Sequence, residues 1–410
     1  MMQSVKAQTT IDAPISVPLH FTQTSSGYYK LGIYVGIGDG AAPALFEFDT
    51  GGTGFYAAYS PHAGISPWWG NHTVITPEVP IENAYDSGLT YSGRLAEGAV
   101  SLFASASSST PLITTATTAQ IGQMNTINQN DPSTGHLVQK LWSEDGNETA
   151  HPPIDGVFYG DFGMNLAYNL NPNSAGIANL VAQLNYGSGV TAGFRINVDQ
   201  ATQQAHLQIG LTEADTQSAA ASYFLMNSDG GAPPDATIPV SDLPFYSQQL
   251  FDATIMIQGE DGTLISVDTG ITPDTGASTT LHNTQNSPGS LPGEYAGFIN
   301  WSNAEQDLGA LEDGLEFGLL GLTIDDEIVP FFEFTTSGAT NAGNVMVQNN
   351  RPLNPLYYLN TGISLFYAYN LIYDMENGII GLQAVPEPSS LGLLALGATA
   401  SWLAFRRRRS

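Results

Sequence analysis

Residues 45–54 read LFEFDTGGTG, an alternating apolar stretch that stops abruptly on Asp49, Thr50 and paired glycines. The period of two predicts a half-buried strand, and the glycine-rich end predicts a sharp turn. Such a strand delivers a carboxylate at its last position and then lets backbone approach it closely. Asp-Thr-Gly returns 225 positions later, in TPDTGASTTL (272–281). A single copy is a turn signal and nothing more. Two copies, one per half, permit chemistry: paired carboxylates cannot both ionise readily and share a proton. One can then act as base on a water while its partner protonates a carbonyl.

Working outward, YYKLGIYVGIGDGAAPALFEFDTGG (28–52) reads as a hairpin turning through its GDG. No helical pattern follows this G-x-G-x-G, so it is not a nucleotide loop. GFRINV (193–198), HLQIGL (206–211), ATIMIQG (253–259) and LFYAYNLIYDM (365–375) read as strands, and IANLVAQLNYG (177–187) is the one helical pattern. A sustained β pattern starts at Tyr28. The expected fold class is mostly β.

At 410 residues the chain is long enough for two cores, and its 44 glycines and 24 prolines suit many turns. The 38 acidic and 10 basic residues give a net charge of −28, and four of the ten are Arg406–Arg409. That surface repels phosphate backbones, which argues against nucleic acid as a partner. The absence of cysteine rules out disulfides, thiolate metal sites and a Cys nucleophile. His20, His62, His72, His136, His151, His206 and His282 are scattered without metal-ligand spacing, so no zinc chemistry is expected. No G-x-S-x-G elbow supports a serine hydrolase.

At these motifs the chain resembles the pepsin-like aspartic proteases. The 28–52 hairpin and its loop are similar to the family's first catalytic segment, with Asp49 as one member of the dyad. YDSGLTYSGRLAEGAVSL (85–102) is similar to the flap, in which a tyrosine covers the cleft; Tyr85 fits, and Tyr91 is the alternative. PPIDGVFYGDFG (152–163) looks like the Asp-Gly-apolar-apolar-Gly segment ending the first lobe's core. YDMENGIIGLQ (373–383) looks like the final strand, with Gly362 twelve residues before Asp374.

The resemblance implies a bilobal fold with the active site between two β-rich lobes, residues 28–190 and 191–385, after an N-terminal segment 1–27. It implies an endopeptidase acting through Asp49 and a second aspartate. In ISVDTGITPDTGASTTL (265–281), Asp268 has the better apolar run before it and Asp274 the better sequence after it; Asp274 is preferred. Gly51, Gly276, Tyr85 and Ser87 would contact an extended peptide, with no metal or organic cofactor and a monomeric enzyme. A non-catalytic binding or surface protein of the same fold is the alternative.

Two features depart from the family pattern. Asn360-Thr361 stands where an apolar pair usually precedes Gly362. Gly52 and Ala277 occupy positions commonly held by Ser or Thr, whose hydroxyl donates to the aspartate's outer oxygen. Loss of that donor would raise the dyad's apparent pKa values and give a mildly acidic optimum, which Gly52→Ser and Ala277→Thr should reverse.

The last residues read VPEPSSLGLLALGATASWLAFRRRRS (385–410). Pro-Glu-Pro, the uncharged stretch 391–405 and four arginines together resemble the PEP-CTERM sorting signal. Export, cleavage near Pro386 and delivery to the cell surface or extracellular matrix are implied, with transient anchoring in the membrane through 391–405 and recognition by sorting machinery. Fifteen residues are short of the ~20 that comfortably span a bilayer, and the arginines would stay cytoplasmic. Residues 1–27 do not show the apolar core of a secretory signal.

Overall fold

The computed structural model describes residues 9–62, 64–85, 87–131, 135–145, 152–167, 176–228, 243–283, 296–302, 308–337, 343–349 and 358–385. They form a mostly β protein, as the turn-rich, alternating sequence requires.

Strand Tyr29–Ile37 pairs antiparallel with Ala44–Asp49, with Ile33 opposite Phe46 and Val35 opposite Ala44. The second strand is more deeply buried than its alternation suggests. A short return strand, Gly160–Gly163, runs parallel along its other edge and is itself flanked by Phe55–Ala58. Paired on both sides, the strand buries Glu47 as well as Phe46 and Phe48. Lys30 offsets the burial of that charge with a 2.7 Å ion pair to Glu47 and reaches Asp155 at 2.9 Å. Phe46, Phe48, Phe55 and Phe162 pack together in this half's core, Phe48 stacking on Phe162 with centroids 6.3 Å apart.

The second half repeats the plan. Phe251–Gln258 pairs antiparallel with Leu264–Thr272, and the return strand Tyr358–Asn360 runs parallel to the latter and antiparallel to Thr280–Asn283. In both halves the order is therefore hairpin, aspartate loop, outgoing strand, with a much later strand slotted between the last two. Ile271, Leu281 and Leu359 fill the equivalent core positions.

One sheet continues from the first half into the second: Ile15–Gln23 pairs with both Tyr29–Ile37 and Gln204–Leu211, followed by Thr191–Asp199, Tyr369–Asp374, Ile379–Ala384 and Ala221–Leu225. Hence strands begin before the expected Tyr28, at Thr10–Ile11 and Ile15–Gln23, with Ile11, Val17 and Leu19 buried.

The helix expected over 177–187 does not form. Its apolar residues are buried as the pattern predicts, but only a 3-10 turn, Val181–Gln183, and the short strand Asn185–Tyr186 appear. The Asn179 side-chain carbonyl accepts the Ala182 N–H (2.8 Å) as a helix cap would, but the turn is cut short because Asn185 and Tyr186 pair with Thr10 and Ile11. The expected strand 365–375 is divided: Ser364–Ala368 is a helical turn and Tyr369–Asp374 the strand. Among the described residues no helix is long and apolar enough to cross a membrane; the stretch 391–405 lies outside them.

Candidate active site

The two Asp-Thr-Gly loops meet between the halves and interlock. Thr50 N–H donates to Thr275 Oγ1 (3.1 Å), and Thr275 N–H donates back to Thr50 Oγ1 (2.9 Å). Each hydroxyl then donates across the junction to backbone, Thr50 to the Pro273 carbonyl (2.9 Å) and Thr275 to the Phe48 carbonyl (2.7 Å). Both threonines are buried, so these bonds are shielded from water. The sequence reading assigned the threonines no role, although their position inside both copies of the tripeptide was the available signal.

The interlock sets the carboxyls against opposite glycines. A side chain on Gly51 would run into the Asp274 carboxylate, and a Cβ on Gly276 would lie 2.7 Å from Asp49 Cγ. Only glycine permits this approach from either side. Each aspartate also accepts the N–H two residues ahead, Gly51 to Asp49 Oδ1 and Gly276 to Asp274 Oδ1, both at 2.7 Å. Asp268 is elsewhere: it is exposed on Leu264–Thr272 and accepts the Thr254 hydroxyl at 2.7 Å. The structure thus brings Asp274, and not Asp268, to Asp49.

Asp49 and Asp274 are each 8% exposed. Burial, then the neighbouring charges of Asp274, Asp161 and Glu47, push the Asp49 carboxyl well above the usual carboxylate range. Asp274 receives a second donor: Asn360 Nδ2 donates to its Oδ2 at 2.5 Å. Asn360 is itself fixed, since its Oδ1 accepts the Gly362 N–H (2.9 Å). The polar departure before Gly362 therefore supplies a hydrogen bond to the second aspartate, the kind of support that Ala277 lacks the hydroxyl to give.

Near Asp49 the vacant place is taken differently. A Cβ on Gly52 would lie 2.6 Å from Asp161 Oδ2 and 3.0 Å from Asp49 Oδ2, so the missing side chain makes room for a third carboxyl. This corrects the expectation for Gly52→Ser, which would collide with Asp161 rather than simply restore a donor. Asp161 was quoted inside PPIDGVFYGDFG without a role. The glycine that pairs with Asp49 is Gly163, and Asp161 stands two residues before it, as Asn360 stands two before Gly362.

Tyr85 and Tyr91 belong to the hairpin of Val74–Ala84 and Leu89–Glu97. Tyr85 sits at its turn, accepting the Gly88 N–H and donating its own N–H to the Leu89 carbonyl, both at 2.9 Å. Its hydroxyl reaches inward and donates to Asp161 Oδ2. Tyr91 is buried instead, stacked on Tyr56 and edge-on to Tyr85. Ser87 is exposed at the hairpin tip; Asp86 lies outside the described residues. Among the described residues, no group of three or more His, Asp or Glu side chains is arranged to hold a metal ion.

Three comparisons place this geometry. Residues 384–409 match the PEP-CTERM protein-sorting motif. No curated protein matches the chain by sequence. Among solved structures the fold is similar to the aspartic proteinase from Irpex lacteus, at 15% identity over 91% of this chain and 98% of that one, with a TM-score of 0.51. The likeness is one of fold: this chain has the pepsin-like aspartic proteinase architecture and ends in a PEP-CTERM sorting motif.

Proposed function

We propose that the protein is an exported aspartic endopeptidase. The observation that carries this reading is the interlock itself, in which each Asp-Thr-Gly glycine packs against the carboxyl of the other half. That contact has no evident structural purpose, because burying two like-charged groups together is costly. It suits a water held between two carboxyls that share a proton.

The asymmetry of the pair suggests the roles. Asp49, pushed toward its protonated form, is suited to give a proton to the scissile carbonyl oxygen. Asp274, accepting N–H bonds from Gly276 and Asn360, is suited to take a proton from the attacking water. Water oxygen bonds to the carbonyl carbon, giving a tetrahedral diol. Its collapse breaks the C–N bond as the leaving nitrogen takes the proton from Asp274 and a diol hydroxyl gives its proton to Asp49, so that a carboxylic acid forms and the pair is singly protonated again. The β-hairpin carrying Tyr85, whose hydroxyl reaches Asp161, would cover this centre and confine an extended peptide beneath it. Gly51, Gly276 and Ser87 are proposed as peptide contacts, and the enzyme as a monomer.

The test is a digest of a denatured protein mixture across pH, with and without a statin-type transition-state mimic, read by mass spectrometry. Mimic-sensitive cleavage supports the enzyme. A folded protein that cleaves nothing would be a binding or surface protein of this fold. The sorting motif supports export, anchoring and removal of the tail near Pro386. Intact mass of native material checks this: a mature chain retaining Arg406–Arg409 would make the tail a permanent anchor.

A further inference from the structure

The two return strands place a polar side chain at equivalent points. Asp161 pairs with Glu47, two residues before Asp49, and Asn360 pairs with Thr272, two before Asp274. Asn360 carries out a plain task there, donating to Asp274. Asp161 occupies the corresponding place beside Asp49, separated from it by the slot where Gly52 has no side chain. It is 2% exposed, and while Oδ2 accepts the Tyr85 hydroxyl, Oδ1 has no hydrogen-bond partner among the described residues. A buried carboxylate with an unpaired oxygen is costly, whereas a protonated carboxyl is an O–H donor.

The surroundings favour the neutral form. Glu47 and Asp49 face Asp161 from the adjoining strand, Asp274 from the opposite loop, and the hydroxyls of Tyr85 and Tyr91 from the hairpin above. The nearby cation, Lys30, is bonded to Glu47 and Asp155. Burial first, and then the Glu47 charge, push the Asp161 carboxyl well above its ordinary range, and the Tyr85 hydroxyl pulls it partly back.

We propose, on the reading of this centre as a two-aspartate hydrolase, that Asp161 is a positioning residue: the titratable counterpart of Asn360, holding Tyr85 on one side and governing the proton of Asp49 on the other. Protonated, it gives the first aspartate an O–H where the second has an amide N–H. Ionised, it puts a negative charge beside Asp49, which then keeps its own proton to higher pH. The tyrosine that covers the centre is bonded to the same carboxyl, so coverage and protonation are tied together.

Asp161→Asn tests this, because it keeps the shape, retains an acceptor for Tyr85 and replaces the ionisable group with a permanent donor. Carbon-13 labelling at aspartate Cγ follows the carboxyl titrations by NMR whether or not peptide is cleaved, with Asp49→Asn identifying the Asp49 signal. In Asp161→Asn, the Asp49 titration should move down by about 1 pH unit, and the alkaline limb of kcat should move with it while KM changes little. The pair Asp161→Ala with Gly52→Ser removes the third carboxyl, clears the space the serine needs and sets a hydroxyl near Asp49 by another route, and should give the same direction of shift. An unchanged Asp49 titration in both variants overturns the proposal. So does a folded Asp161→Asn protein without activity, which would make the carboxyl part of the chemistry itself. If the titration moves but the wild type cleaves nothing at any pH, the coupling stands and the proteolytic reading falls.

Discussion

Asp49 and Asp274 each close a buried strand, each accept the N–H two residues ahead, and each lie against the other's glycine. Behind Asp274 stands Asn360, whose amide donates at every pH; across the Gly52 slot from Asp49 stands Asp161, a carboxyl that carries a donor only while protonated. The loops are thus near copies, and their supports are not. The difference shows how a duplicated tripeptide acquires two distinct surroundings without itself changing: the neighbour of each carboxyl, one strand away, is enough.

The largest effects should come from the aspartates. Asp49→Asn and Asp274→Asn should each lower peptide cleavage on the order of 10³-fold or more, with unchanged circular dichroism, because neither carboxyl can substitute for the other. Asp268→Asn should keep nearly full activity. One active Asp→Asn variant of the pair would break the comparison at its root.

The supports come next. Asn360→Leu removes the second donor to Asp274 and should lower kcat/KM by roughly 10- to 100-fold, a hydrogen bond to a charged group contributing about 1.5–3 kcal/mol. A fluorogenic peptide assay reads this directly, and wild-type rates would show that Asn360 merely fills space.

Smaller again is the cost of loosening the interlock. Thr50→Val and Thr275→Val each leave a buried carbonyl without its donor, at Pro273 and at Phe48, and should each destabilise by about 1–3 kcal/mol in urea unfolding. Their losses should be similar, and a marked inequality would show that one half depends on the grip more than the other.

The effect spread over the widest range of conditions is on stability against pH. Asp49 and Asp161 have raised folded-state pKa values, so the folded protein holds protons that the unfolded chain releases. Stability from these groups is therefore present below the unfolded carboxylate pKa of about 4 and is lost as pH rises toward their folded values, by up to ~1.4 kcal/mol per pH unit for each proton. Asp161→Asn should flatten that decline in thermal scans from acidic to neutral pH. A decline as steep as wild type would remove Asp161 from the cause.

Much of this was legible in the chain. The alternation before Asp49, the repeated tripeptide and the tyrosine ahead of Ser87 are local patterns, and local patterns survive in sequence. Asp161 was not legible, because its meaning arises from parallel pairing with residues more than a hundred positions earlier. The same holds for Thr50 and Thr275, whose bonds cross 225 positions. The early strand Ile15–Gln23 was hidden differently: Ile15, Val17, Leu19 and Phe21 alternate without a break, but Pro18 argues against a paired strand interior, and its partner is at 205–209. In 177–187 the apolar spacing did identify buried residues, but the end of the stretch pairs with Thr10–Ile11, some 175 positions earlier, instead of continuing a helix.

That early strand has a consequence for any shortened form of the protein. It covers one edge of Gln204–Leu211 and joins it to Tyr29–Ile37, so the sheet shared by the two halves passes through it. Removing the residues before Tyr28 would leave unpaired backbone N–H and C=O groups along Ala205 to Ile209 and along Tyr29 to Gly32, with the buried Leu207 and Ile209 beside the gap. Uncovered edges of that kind recruit strands from other molecules. A preparation begun at Tyr28 should therefore exchange strands between chains or precipitate, whereas one that keeps Ile15–Gln23 carries its own edge protection.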